Sequence, residues 1–162
     1  SHLLHPAILK YGLIPAVQEL ADSFGAFFQV TLQANEELRS RDMLKGDGIE
    51  AGARLVAYRV VEEGLNNAAK HSHARSVAIA LDLLDDVLDV SVTDDGVGLN
   101  RATVRPGLGL DGLAGRLEYR GGTVRLEGAV GGGARLIARL PLTGLTLQDI
   151  LAPAGFDLAG SE

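Results

Sequence analysis

The feature that most constrains the fold is a long amphipathic run, Glu50 to Ser72, followed at once by paired extended segments. At about 100° per residue, Ala57, Tyr58, Val61, Leu65, Ala68 and Ala69 share one arc, which has to be buried against a sheet. Glu63, Asn67, Lys70 and His71 fall on the other side, within about a quarter turn of one another. Val56 and Val60 interrupt that polar side, so its upper turns are expected to be covered too. Ser76 to Leu83 and Val87 to Thr93 read as strands joined by the tight turn Leu84-Asp85-Asp86. Thr123 to Glu127 and Ala134 to Leu140 form a second pair, separated by Gly128 to Gly133. One long helix with successive hairpins predicts an α/β fold of two layers: a largely antiparallel sheet with helices on one face.

The rest of the chain fits around that frame. Tyr11 to Ser23 carries Leu13, Ile14, Val17, Leu20 and Ala21 at helical spacing, with Pro15 tolerable in the first turn and Gly25 ending the helix. Phe27 to Ala34 alternates apolar and polar residues and reads as a strand. Residues 35–49 are polar, contain Gly46 and Gly48, and read as a linker or loop. Leu110 to Arg120 is helical in pattern, and the residues from Thr143 show only a short helix at Leu147 to Leu151. Residues 1–10 open directly on an apolar stretch, like the end of something that began earlier.

Composition narrows the function classes. A length of 162 residues suits one domain with a short flank. The formal net charge of −6 provides no basic field for phosphate backbones, which argues against direct nucleic-acid binding. With no cysteine there is no disulfide and no thiolate metal site, which fits a reducing compartment. No signal peptide and no run of ~18 apolar residues is present. The 21 glycines, against a typical ~7% of residues, point to loops where backbone passes close to something.

Three strings carry chemistry. Glu63 and Asn67 point the same way from the long helix: the amide oxygen is a neutral hard ligand suited to Mg²⁺, and the carboxylate is placed to orient or deprotonate an attacking group. Lys70 would balance phosphate charge. Asp94-Asp95-Gly96-Val97-Gly98 puts a carboxylate at a strand end before two glycines, where it can accept a hydrogen bond from an exocyclic amine such as that of adenine. Gly107-Leu108-Gly109-Leu110 opens a helix whose bare N–H groups suit phosphate. Between the last two lie Arg101 and Arg105, a short lid over phosphates or an exposed linker. Taken singly, each string also fits a solvated helix face, an Asp-Gly turn or a glycine-rich helix entry. Neither a Walker loop nor a Rossmann fingerprint is present.

In this order the strings resemble the N, G1 and G2 boxes of the ATPase superfamily shared by gyrase, the ninety-kilodalton chaperones, histidine kinases and the mismatch-repair MutL proteins. Tyr58 to His71, Gly107 to Arg116 with Gly121-Gly122, and Gly131-Gly132-Gly133-Ala134-Arg135 with Leu140-Pro141-Leu142 are similar to the nitrate-sensor and desaturase-sensor branch of two-component sensor kinases. Leu4 to Leu9 with Gly12-Leu13 resembles the segment joining that family's phosphoacceptor hairpin to its ATP-binding domain.

The resemblance implies a Bergerat-type two-layer α/β sandwich, with ATP and Mg²⁺ held between the helices and the lid. It implies that Asn67 ligates Mg²⁺, Asp94 binds the adenine amino group, and Gly96 and Gly98 shape the base pocket. It further implies that Gly107, Gly109 and Leu110 contact phosphates, that Lys70 and His71 meet phosphate oxygens, and that Glu63 is the catalytic base. The domain expectation is a connecting segment and helix at 1–24, an ATP-binding catalytic domain at 25–142, and a C-terminal tail at 143–162. The implied activity is ATP-dependent protein-histidine kinase, in the cytoplasm, with a parent that is homodimeric and free to be membrane-anchored. Its implied partners are the parent's phosphoacceptor hairpin and a LuxR-type response regulator. The family's phosphoacceptor motif, a His followed by an acidic residue, is absent: Leu3 follows His2, Pro6 follows His5 and Ala74 follows His73. The acceptor hairpin is therefore expected outside this chain. The alternatives are a nucleotide-dependent, anti-sigma-like partner-binding switch and a degenerate domain that kept the fold and lost ATP.

Overall fold

The computed structural model describes residues 11–42, 49–98, 117–118 and 121–143. Along the chain these form α1 (Leu13–Ser23), β1 (Gln29–Ala34), α2 (Glu36–Asp42), α3 (Ala51–Asn67) with a π-helical turn (Ala68–Ser72), β2 (Ser76–Leu84), β3 (Val87–Asp94), β4 (Thr123–Gly128) and β5 (Ala134–Pro141). The five strands make one mixed sheet in the order β1-β2-β3-β5-β4. Only β1 runs parallel to its neighbour, with Gln29 opposite Ser76; the other pairings are antiparallel.

The helices cover one face. Val77, Ile79, Leu81, Leu88, Val90, Val92, Leu136, Ala138 and Leu140 alternate inward along their strands and are buried. Against them pack Val56, Ala57, Val60, Val61 and Leu65 of α3 and Leu13, Ala16, Val17 and Ala21 of α1, in one continuous core. The apolar arc read from the sequence is the buried one, and Val56 and Val60 are fully covered as expected. Helix α1, grouped in the sequence with an upstream connecting segment, contributes to the same core as the sheet.

Two devices hold the helix layer in register. At Gly64, α3 lies so close to β3 that a Cβ built there would sit 2.6 Å from the Cβ of Val92. Glycine in mid-helix costs about 1 kcal/mol relative to alanine, and here it permits the close approach. At the start of α1, the Asp42 carboxylate accepts hydrogen bonds from the N–H groups of Leu13 and Ile14, both 2.8 Å. This long-range cap satisfies donors that a helix start leaves unpaired.

Gly64→Ala is expected to destabilise the fold by about 1–2 kcal/mol. Three Val92 side-chain atoms lie within 3 Å of the added Cβ, at 2.6, 2.7 and 2.9 Å, so the overpacking penalty falls in the upper part of its usual range, about 2–3 kcal/mol, and outweighs the propensity gain of about 1 kcal/mol. A denaturant midpoint unchanged or raised in this variant would contradict the helix–strand contact.

Two expectations are corrected. Residues 36–42, read as part of a polar loop, form α2, started by Asn35, whose Oδ1 accepts from Leu38 N–H at 3.2 Å. The long helix does not stay α-helical to Ser72. It widens into a π turn after Asn67, so the uniform wheel that placed Lys70 and His71 in one stripe with Glu63 does not apply to them. The turn Asp85-Asp86 has both residues at positive φ, as a two-residue hairpin requires.

Candidate functional site

The end of the sheet where β2 begins and β3 finishes gathers the chemistry-bearing residues. Helix α3 runs toward that end and delivers Asn67, Lys70 and the loop before Ser76 there. Gly64 contacts Val92, and Asp94 lies two residues further along the same strand and on the same helix-covered face. Asn67, one helical step of three residues beyond Gly64, is level with that strand end and turned about 60° aside from the sheet-facing line. Glu63 and Asn67 are half-buried on this flank, and Lys70 is exposed.

Asp94 is the one buried charged residue among the described residues, only 8% exposed. Its Oδ1 accepts from the N–H of Gly96 at 2.9 Å and from the N–H of Ala134 at 3.3 Å. Its Oδ2 accepts nothing from any described residue. That oxygen is not among the fully buried atoms that lack a partner, so it is open to a donor brought by a ligand.

Glycines shape the surroundings. Gly133, at φ +92°, packs so tightly that a Cβ there would lie 1.9 Å from the Asp94 carbonyl oxygen, and a Cβ on Gly98, at φ +86°, would meet the Gly133 carbonyl oxygen at 3.4 Å. The loop after β3 and the loop between β4 and β5 thus clasp each other around Asp94. Asp95 turns the other way and secures the adjoining loop. Its carboxylate accepts from the N–H groups of Arg75 and Ser76 and from the Ser76 hydroxyl, at 2.8–3.0 Å. Chiefly the Ser76 N–H, then its hydroxyl and the Arg75 N–H, hold Asp95 below the usual carboxylate range. The contribution to stability is present at neutral pH and disappears as pH falls through that lowered value.

A cleft of about 490 Å³ opens beside this strand end, lined by Gln29, Thr31, Ser76, Thr93, Asp94, Asp95 and the Ala129–Gly132 loop among others.

The structure therefore brings Asp94, Gly96, Gly98, Asn67 and Glu63 to one end of the molecule. Gly107, Gly109, Leu110, Arg101 and Arg105 lie outside the described residues, as does the side chain of His71. The sequence reading assigned no role to Gly133 or to the N–H of Ala134. The run of three glycines was the available signal. Among the described residues no group of three or more His, Asp or Glu side chains could hold a metal ion, so a divalent cation here would rely on an oxygen such as that of Asn67 and on its own ligands.

A mixed five-stranded sheet under helices, with a buried strand-end aspartate and a glycine clasp, defines a class of nucleotide-handling domain. The chain belongs to the family described as histidine kinase-, DNA gyrase B- and HSP90-like ATPase, whose profile matches residues 52–144. Among its relatives, the sensor histidine kinase NarS of Mycobacterium tuberculosis is 35% identical over 145 residues, 86% of this chain and 32% of that protein. The oxygen sensor histidine kinase NreB of Staphylococcus carnosus is 36% identical over 90 residues, 54% of this chain and 26% of that protein. The chain thus spans about a third or less of the length of these relatives. In fold it is similar to the histidine kinase domain of the blue-light activated histidine kinase of Erythrobacter litoralis (TM-score 0.59, 19% identity, 83% of this chain and 62% of that one). It is similar also to the ATP-binding domain of PrrB from Mycobacterium tuberculosis (TM-score 0.53, 24% identity, 82% and 92%). No described helix is long and apolar enough to cross a membrane.

Proposed function

We propose that this chain is the catalytic, ATP-binding part of a two-component sensor histidine kinase, and that it passes the γ-phosphoryl group to a histidine outside the chain. The observation that carries the reading is the Asp94 carboxylate: buried, with one oxygen fixed by two backbone donors and the other left to accept. That is the arrangement an exocyclic amine of a purine requires. Gly96 and Gly98 let the loop beside it lie flat against the base. Asn67 would hold the magnesium that accompanies the triphosphate, and Lys70, His71, Gly107, Gly109 and Leu110 would meet the phosphates. The metal, when bound, neutralises phosphate charge.

In the transfer itself, the bond from the γ-phosphorus to the bridging oxygen breaks as a bond to an imidazole nitrogen forms, and ADP leaves. Such a step needs positioning more than covalent help from the protein. Glu63, half-buried beside Asn67, orients the incoming imidazole and takes its proton. The domain reading proposed is an ATP-binding catalytic domain at 25–142, a connecting segment at 1–24 toward a phosphoacceptor hairpin, whose helix α1 packs into the same core as the sheet, and a tail at 143–162. The parent is a cytoplasmic-facing homodimer, and a response regulator, of the LuxR type, is the final acceptor.

The test has two parts. Titration with Mg-ATP should release or absorb heat and raise the melting temperature, by about 2.7 kcal/mol of added stability at a hundredfold excess over Kd. Adding the parent's hairpin segment should then yield radiolabel on that segment, stable to base and labile to acid, with none on this chain alone. Absence of any binding at millimolar ATP would favour a degenerate domain. Acid-stable label on a serine of a partner would favour the anti-sigma-like switch. In Asn67→Ala, nucleotide should still bind without metal, while the gain on adding Mg²⁺ falls roughly tenfold or more. An undiminished Mg²⁺ effect would remove Asn67 from its assigned role.

A further inference from the structure

The two edges of the sheet are unlike. The β4 edge carries Arg125 and Glu127, joined by an ion pair at 3.1 Å, and charge of this kind discourages strand addition. The β1 edge, Gln29-Val30-Thr31-Leu32-Gln33-Ala34, has no charge, no proline and no bulge. Gln29 N–H donates to Arg75 and Asn35 N–H donates to Leu81. By the alternation of a parallel strand, the odd-numbered residues therefore bond toward β2, and the N–H and C=O groups of Val30 and Leu32 face outward. The ends of that outward row are closed: Phe28 N–H bonds to Phe24 C=O, and Ala34 C=O accepts from Arg39 Nε at 3.1 Å. Among the described residues, what remains open is a short window centred on Thr31.

That window is self-complementary. Read in either direction from Thr31 it runs threonine, aliphatic, glutamine. We propose that β1 pairs antiparallel with β1 of a second copy of this chain about a two-fold axis at Thr31. In that register Val30 and Leu32 of one copy form hydrogen-bonded pairs with Leu32 and Val30 of the other. These are the residues whose backbone groups face outward. Thr31 meets its own counterpart, and Gln29 meets Gln33 on the same uncovered face. Val30 and Leu32, half-buried beneath the helix layer, complete their burial on the other. A shift by one residue would put aliphatic against polar side chains and would present inward-bonded groups to the partner. An isologous contact of this kind closes on itself and does not propagate into fibres.

The contact is small, so the dimer is weak in solution and strengthens where two copies are tethered at an effective concentration of about 1 mM. It does not rest on nucleotide binding, and its test is run without nucleotide. Sedimentation of the whole chain up to about 1 mM should show reversible dimerisation. Amide exchange should slow at Val30 and Leu32 as the dimer fills. Thr31→Lys, at an exposed position, sets two ammonium groups face to face and should raise the dimer Kd about tenfold or more without lowering the melting temperature of the dilute protein. Gln29→Lys with Gln33→Lys should weaken the dimer likewise, whereas Gln29→Lys with Gln33→Glu, which places opposite charges across the axis only in this register, should preserve it. A chain that stays monomeric at that concentration would overturn the proposal. So would a dimer that forms without protecting Val30 and Leu32, or one indifferent to Thr31→Lys.

Discussion

Gly133→Ala should unfold at a much lower denaturant concentration than the unsubstituted chain, and what remains folded should have lost most of its affinity for ATP. Gly133 sits at φ +92°, and its missing Cβ would fall 1.9 Å from the carbonyl oxygen of Asp94, 2.8 Å from the attached carbon and 3.1 Å from Cα of Asp95. All three neighbours are backbone, so no side chain can rotate away. Either β3 or the β4–β5 loop must move. Movement parts Ala134 N–H from Asp94 Oδ1 and strains the bond from Ala129 N–H to Gly133 C=O. A left-handed backbone on an L-residue costs about 1–2 kcal/mol and overpacking about 1–3, so a loss of roughly 2–5 kcal/mol is expected. Gly131→Ala is the control. It has nearly the same φ, +86°, but nothing within 4 Å of the added atom, so it should cost only the conformational part, about 1–2 kcal/mol, and leave nucleotide affinity intact. Equal losses in the two variants would mean that the clasp around Asp94 is not what makes Gly133 necessary.

This contrast also marks how far the sequence can be read unaided. The sheet-facing arc of α3 and both hairpins follow from local periodicity, because each has a buried and an uncovered side and its residues alternate accordingly. Helix α2 was missed because Glu36-Glu37-Leu38-Arg39-Ser40-Arg41-Asp42 has one buried residue, Leu38, and no stripe. Its start signal was nevertheless present: Asn35 as cap, acids in the first turn and arginines in the last. The Asn35 side chain further ties β1 to β2 through Leu83, accepting from its N–H at 3.0 Å and donating to its C=O at 2.8 Å. The π turn after Asn67 has no compositional mark, since the same residues serve either winding, and it alters where Lys70 and His71 fall. The parallel placement of β1 is a matter of chain path and lies beyond any local pattern. For the candidate site, Asp94 with Gly96 and Gly98 stood out as a spaced string. Their partners Gly133 and Ala134 lie about forty residues onward, and only the sheet order β3-β5 brings them alongside.

Asp94→Asn separates the fold of that site from its recognition chemistry. In the parent chain Oδ1 is engaged by Gly96 and Ala134, both donors, so the asparagine oxygen takes the same place and keeps both bonds. The amide nitrogen then occupies the position of Oδ2. A donor now faces the site where the proposed adenine amine must itself donate. The melting temperature without ligand should move by no more than a few degrees, because nothing in the clasp is lost. ATP affinity should fall about ten- to a hundredfold. A hydrogen bond to a charged acceptor contributes roughly 1.5–3 kcal/mol, and each ~1.4 kcal/mol is a factor of ten. Asp94→Ala, by contrast, leaves two backbone N–H groups without their acceptor and should lower both stability and affinity. ITP, which carries a carbonyl at C6 in place of the adenine amine and no other exocyclic amine, should bind the unsubstituted chain poorly and lose little further affinity in Asp94→Asn. Were ATP to bind Asp94→Asn as tightly as it binds the unsubstituted chain, the open oxygen of Asp94 would not be the group that reads the base.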